Sequence, residues 1–138
     1  MRMQCQEMIS FRPYTPDDYH YVMDSFLHGF KGTPWARGVV VSRLLSALMN
    51  HQGWKITVAH YEEVPDEILG WIAWRDSQTI GWICIKGPVQ SRGVAHSLLS
   101  HIGCDVSREI CTAFVTPEAL AMAKKKGIKL RFRPYLVA

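Results

Sequence analysis

The residues best suited to chemistry lie between Ile83 and Leu99, in the run ICIKGPVQSRGVAHSLL. An apolar strand, Ile83-Cys84-Ile85, passes through a short loop into an amphipathic helix that turns Val94, Leu98, Leu99 and Ile102 to one side. The first backbone N–H groups of a helix have no partner within it. They point outward at the positive end of the helix dipole, which makes them an anion site. Small residues at Gly93 and Ala95 let a phosphate group approach the backbone, and Arg92 can add a charge-assisted contact. Gln90, Ser91, Arg92, Gly93, Val94 and Ala95 thus read as a cradle for a pyrophosphate. The plainer reading is a strand-to-helix turn in which Gly93 relieves crowding, and residue types alone leave both open. Neither GxGxxG nor GxxxxGK[ST] occurs.

Other chemistry is sparse. The six histidines (His20, His28, His51, His60, His96 and His101) show no HExxH pair or other metal-ligand spacing, so no metal site is expected. GxSxG is absent. Cys5, Cys84, Cys104 and Cys111 form no CxxC pair and read as reduced, buried thiols of a cytoplasmic protein. Cys84 has no histidine paired with it locally, which favours a core role over a nucleophile. His60, Glu62, Glu63 and Asp76 fall at strand ends or turns, where a solvated face is the expected role.

Elements of definite type must position this segment. Ile9 and Phe11 alternate with polar neighbours in a first strand, Met8 to Tyr14. Thr15-Pro16-Asp17-Asp18 then reads as a helix start, with Thr15 as N-cap, Pro16 at the first helical position and Asp18 three residues after the cap. The stripe Tyr19, Val22, Met23, Phe26, Leu27, Phe30 follows at helical spacing. A loop from Lys31 to Gly38 leads to a second helix carrying Val41, Leu44, Leu45 and Leu48. Three strands come next: Trp54 to Tyr61, Ile68 to Trp74 and Thr79 to Lys86. Their short connections, Glu62 to Asp66 and Asp76 to Gln78, imply antiparallel hairpins. After the helix opened by Gly93 come a strand from Glu109 to Val115 and a helix from Pro117 to Lys126. Thr116 caps that helix, Lys124-Lys125-Lys126 suits the negative end of its dipole, and Gly127 is the C-cap. A last strand starts at Ile128. The order is β-α-α-β-β-β-α-β-α-β: an α/β (α+β) fold with a mixed, mostly antiparallel sheet of about six strands flanked by four helices.

Composition bounds the rest. A chain of 138 residues with 48% hydrophobic and 20% charged residues suits one domain, residues 1–138, with a core of its own. No apolar run approaches the roughly 18 residues of a membrane span, and the polar start Met1 to Glu7 does not resemble a signal peptide. The net charge of +4 is scattered apart from Lys124 to Lys126, so a nucleic-acid surface is not expected.

The segment Gln90-Ser91-Arg92-Gly93-Val94-Ala95 resembles the Q/R-x-x-G-x-G/A signature of the GCN5-related N-acetyltransferase (GNAT) superfamily. Leu98-Leu99 falls where that family has its two leucines, and Ile83-Cys84-Ile85 resembles its fourth strand. With the order of elements, the resemblance covers nearly the whole chain. It implies acetyl-coenzyme A (acetyl-CoA) as cofactor, with the pyrophosphate on backbone amides from Gln90 to Ala95. Backbone groups of Ile83, Cys84 and Ile85 would then hold the pantetheine arm and the thioester carbonyl. The implied activity is acetyl transfer to an amine of a small molecule, peptide or protein. An N–H aimed at the carbonyl oxygen would stabilise the charge that develops there.

Departures from the family pattern leave the catalytic residues unassigned. The tyrosine that many members carry before the last helix ends, a general acid for the leaving thiolate, is Ala123 here, and a common asparagine is Thr116. Water can protonate a thiolate of ordinary pKa, so transfer remains feasible. A catalytically weak or inactive binding module on the same fold is the alternative. Trp35 and Arg37 lie where the family shapes its acceptor site, and Lys124 to Lys126 are open to a role at the cofactor's 3′-phosphate. Only eleven residues follow Gly127, about half what the family's final hairpin needs. This short C-terminus leaves the acceptor side open, or completed by a second copy in a homodimer.

Overall fold

The computed structural model describes residues 8–29, 45–46, 49, 53–86, 93–112 and 117–133. Its six strands are β1 (Ile9–Pro13), β2 (Lys55–Tyr61), β3 (Val64–Asp76), β4 (Thr79–Ile85), β5 (Ile110–Thr112) and β6 (Leu130–Phe132). They form one sheet in chain order. The pairs from β1 to β4 are antiparallel, and β4–β5 and β5–β6 are parallel. Three helices are described over their length: α1 (Tyr19–Gly29), α2 (Val94–His101) and α3 (Pro117–Lys126). Of the second helix expected from the sequence, Leu45, Ser46 and Met49 are helical, and its remainder lies outside the described residues. No helix among the described residues is long and apolar enough to cross a membrane.

The start of α1 follows from its capping sequence. Pro16–Asp18 forms a 3-10 turn, and the Asp18 carboxylate reaches back to accept the Thr15 N–H at 2.9 Å. Arg12 on β1 donates to both Asp18 oxygens, at 2.7 and 2.9 Å, which ties the first strand to the helix start. At the other end of the chain, Gly127 has φ 70° and α3 closes with Ile128 N–H on the Ala123 carbonyl at 2.8 Å. That is the glycine cap anticipated there.

Core packing divides the sheet into two faces. On the first, Val22 and Phe26 of α1 pack on Val58, Trp71, Ala73 and Trp82, and the Phe26 ring meets the Trp82 ring edge-on at 4.8 Å. The Trp71 indole N–H finds its acceptor in Ser25 Oγ at 2.8 Å. On the second face, Val94, Leu98, Leu99 and Ile102 pack on Ala59, Leu69, Ile72, Ile80 and Ile110. The sheet is therefore covered on both sides, as its apolar strands suggested.

β3 begins four residues before the expected Ile68. Glu62–Glu63 is the whole turn, and Val64 already pairs with Tyr61. Pro65 is tolerated near the strand start, where its carbonyl accepts from Arg12 at 3.3 Å. β5 and β6 begin one and two residues after the expected Glu109 and Ile128, and the expected ends of both strands fall in residues 113–116 and 134–138, outside the described residues.

Candidate functional site

The site is built on β4. Ala73 pairs with Trp82 but Trp74 pairs with Ile80, so Gly81 is an extra residue, a bulge in β4. The bulge resets which side chain faces where. Ile80, Ile83 and Ile85 join the second face, whereas Trp82 and Cys84 join the first with α1. β5 pairs with β4 at Thr79 and Ile80, and among the described residues the pairing stops there. The Lys86 N–H bonds the Leu69 carbonyl at 2.8 Å. Counting back along the antiparallel ladder, Cys84 and Trp82 exchange hydrogen bonds with β3, whereas the N–H and C=O of Ile83 and Ile85 point to the β5 side. Beyond the bulge this side of β4 forms a ledge toward which Ile83 and Ile85, not Cys84, turn their backbone groups, and residues 113–116, which follow β5 in the chain, lie outside the described residues. The sequence reading had grouped all three.

β3 is shaped to fit. A Cβ added at Gly70, opposite Ile85, would lie 2.7 Å from the Cys84 carbonyl oxygen and 2.9 Å from Ile85 Cδ1. Glycine at this position lets β4 close on its neighbour. A lone glycine inside the apolar run Ile68 to Trp74 carried that signal, which the sequence reading passed over.

At the end of this ledge stands α2. Gly93 immediately precedes it with φ 81°, a left-handed conformation natural to glycine, and a Cβ built there would meet nothing within 4 Å. Val94, Leu98 and Leu99 are buried and hold the helix on the second face, and Ala95 is half-buried. The open space over Gly93 and the outward first-turn N–H groups form a cradle in which a phosphate meets no side chain of the described residues. The structure thus brings together Ile83, Ile85, Gly93, Val94 and Ala95, whereas Cys84 turns its side chain to the first face and its backbone to β3. Gln90, Ser91 and Arg92 lie outside the described residues, as do Trp35, Arg37, Thr116 and Cys5.

The remaining candidates separate from this site. Ala123 on α3 is buried and supplies only a methyl group at the family's tyrosine position. Lys124, Lys125 and Lys126 are exposed at the C-terminal end of α3. That helix end feeds β6 beside Ile110, at the Thr79 end of the sheet and opposite Gly93. A role for these lysines at a 3′-phosphate bound near Gly93 is therefore set aside. Glu62 and Glu63 are exposed in their turn, and Asp76 accepts the Gln78 N–H at 2.9 Å. His60 departs from the expectation of a solvated strand end. It is 6% exposed and its Nδ1 lies 2.7 Å from the Tyr61 carbonyl, so that nitrogen carries the proton. Cys84, Cys104 and Cys111 are free and half-buried, less enclosed than the sequence suggested. Burial pushes the Cys104 thiol up, with the charge of Asp105 adding to it. No cluster of three or more His, Cys, Asp or Glu that could hold a metal occurs among the described residues.

Two residues missed in the sequence matter to the frame. Gln78 accepts the Asp105 N–H at 2.6 Å and donates to the carbonyls of Asp105 and Glu109 at 3.1 Å. It clamps the approach to β5 onto the β3–β4 turn, where the two parallel strands do pair. Tyr21, outside the α1 stripe read from the sequence, packs half-buried on the first face together with Cys84.

Comparison with solved structures identifies this architecture. A possible acetyltransferase from Clostridium difficile 630 matches with a TM-score of 0.59 and 15% identity, over 88% of this chain and 91% of that one. An aminoglycoside N-acetyltransferase in complex with CoA matches with a TM-score of 0.58 and 13% identity, over 91% of each chain. Longer proteins match in part. The chain spans 64% of a Desulfovibrio desulfuricans protein assigned to the GNAT family, which matches with a TM-score of 0.48 and 21% identity over 69% of this chain. It spans 12% of a fungal multi-domain GH3 β-N-acetylglucosaminidase with a GCN5-related glucosamine N-acetyltransferase region (TM-score 0.52, 18% identity, 69% of this chain). No protein-family model and no curated protein matches the sequence. The chain has the GNAT fold: a mixed six-stranded sheet with helices on both faces.

Proposed function

We propose that this protein is an N-acetyltransferase that moves acetyl from acetyl-CoA to an amine of a small molecule, peptide or protein. The observation that carries the reading is the meeting of the ledge at Ile83 and Ile85 with the open helix start at Gly93. A pyrophosphate would lie on the first-turn amides of α2 and a pantetheine arm along the ledge side of β4. The solved structures of like fold support it at the level of acetyl transfer, one of them holding CoA. They leave the acceptor open.

Acetyl-CoA supplies the activated acetyl group as a thioester. The chain's own part is to fix that carbonyl beside backbone N–H donors of β4, where charge develops on its oxygen, and to hold an amine in line with it. Gly81 and Gly70 serve by shaping β4, and Gly93 by leaving room for phosphate. The test is release of free CoA across a panel of amines, from polyamines and aminosugars to peptide N-termini. Release that depends on one amine class supports transfer. Micromolar CoA binding without release from any amine favours the second reading, a regulatory or binding module on this fold, for which Ala123 is the motive.

Two further parts of the proposal concern context. A homodimer is favoured by β6, the last strand of the described sheet, where Phe132 is 54% exposed. A monomer by light scattering overturns it. Free thiols at Cys84, Cys104 and Cys111 suit a reducing, cytoplasmic setting.

A further inference from the structure

We draw no further inference here: the strongest candidate, the acidic tip of the β2–β3 hairpin at Glu62, Glu63, Asp66 and Glu67, is a cluster of exposed carboxylates, and no second feature among the described residues shows what ligand or partner it would meet.

Discussion

Replacing Gly70 by alanine tests the shape of β4 most sharply. The added Cβ sits 2.7 Å from the Cys84 carbonyl oxygen and 2.9 Å from Ile85 Cδ1. The isoleucine methyl can rotate away, but the carbonyl is main chain and belongs to the ladder. Ordinary contact near ~3.4 Å therefore requires β3 and β4 to part by roughly half an ångström or more. Overpacking of this kind costs about 1–3 kcal/mol, or roughly 3–10 °C in melting temperature for a domain of this size. The displaced atoms are those of Cys84 and Ile85, next to the proposed pantetheine ledge, so CoA affinity should fall by about tenfold or more, in line with the sensitivity of such sites to sub-ångström misplacement. Gly103→Ala is the control. It sits at φ 80° with only Ser77 Cβ near among the described residues, at 3.9 Å, so it also loses stability, through backbone strain of about 1–2 kcal/mol, but far from the ledge. Calorimetric melting and isothermal titration with CoA on both variants read the two effects separately. A Gly70→Ala protein that melts and binds as wild type does refutes the argument. Equal loss of CoA affinity in both variants also counts against it, because it makes the loss one of general stability.

Other consequences follow from single contacts. The Arg12 guanidinium, opposed by burial and helped by the Thr15 N–H, holds the Asp18 carboxyl below the usual carboxylate range. A depressed folded pKa means that this stabilisation is complete above the unfolded value of about 3.9 and is lost as pH falls through the folded one. Asp18→Asn should therefore cost about 3 kcal/mol at pH 7, measured by urea unfolding, and the gap to wild type should narrow towards pH 3. A gap that widens on acidification contradicts the sign. Ser25→Ala leaves the buried Trp71 indole N–H without its acceptor and should cost about 1–3 kcal/mol with an unchanged denaturant slope. A loss under about 0.5 kcal/mol counts against that hydrogen bond. Gln78→Leu removes three bonds to the segment before β5. Exchange of the Asp105 amide should then quicken at least about tenfold, and unchanged protection there means that the clamp carries no load.

The fold was legible in the sequence where one local rule decided the outcome. Thr15-Pro16-Asp17-Asp18 opened a helix, Gly127 closed one, and the strand–glycine–Leu98-Leu99 run lay as strand, turn and buried helix. Strand limits were less legible, because pairing can overrule a local signal. Pro65 read as turn, yet Val64 finds Tyr61 across a two-residue connection and the strand starts there. The division of labour along Ile83 to Ile85 was hidden for a related reason: it depends on the bulge at Gly81, a property of two strands together. His60 looked solvent-facing by position, but its strand lies inside the sheet between β1 and β3.

The account stands on phosphate binding at the start of α2, and one pair of variants tests it. Asn and Asp both tolerate the left-handed conformation of Gly93 and are nearly the same size. An aspartate at a helix start also suits the dipole, so Gly93→Asp should fold at least as well as Gly93→Asn. Titration of CoA into both is the measurement. Charge repulsion at about 5 Å is worth roughly 1–3 kcal/mol, so Gly93→Asp should bind CoA about tenfold to a hundredfold more weakly than Gly93→Asn. Equal affinity in the two variants, or no CoA binding by a folded wild type, contradicts the claim that this helix start holds the pyrophosphate.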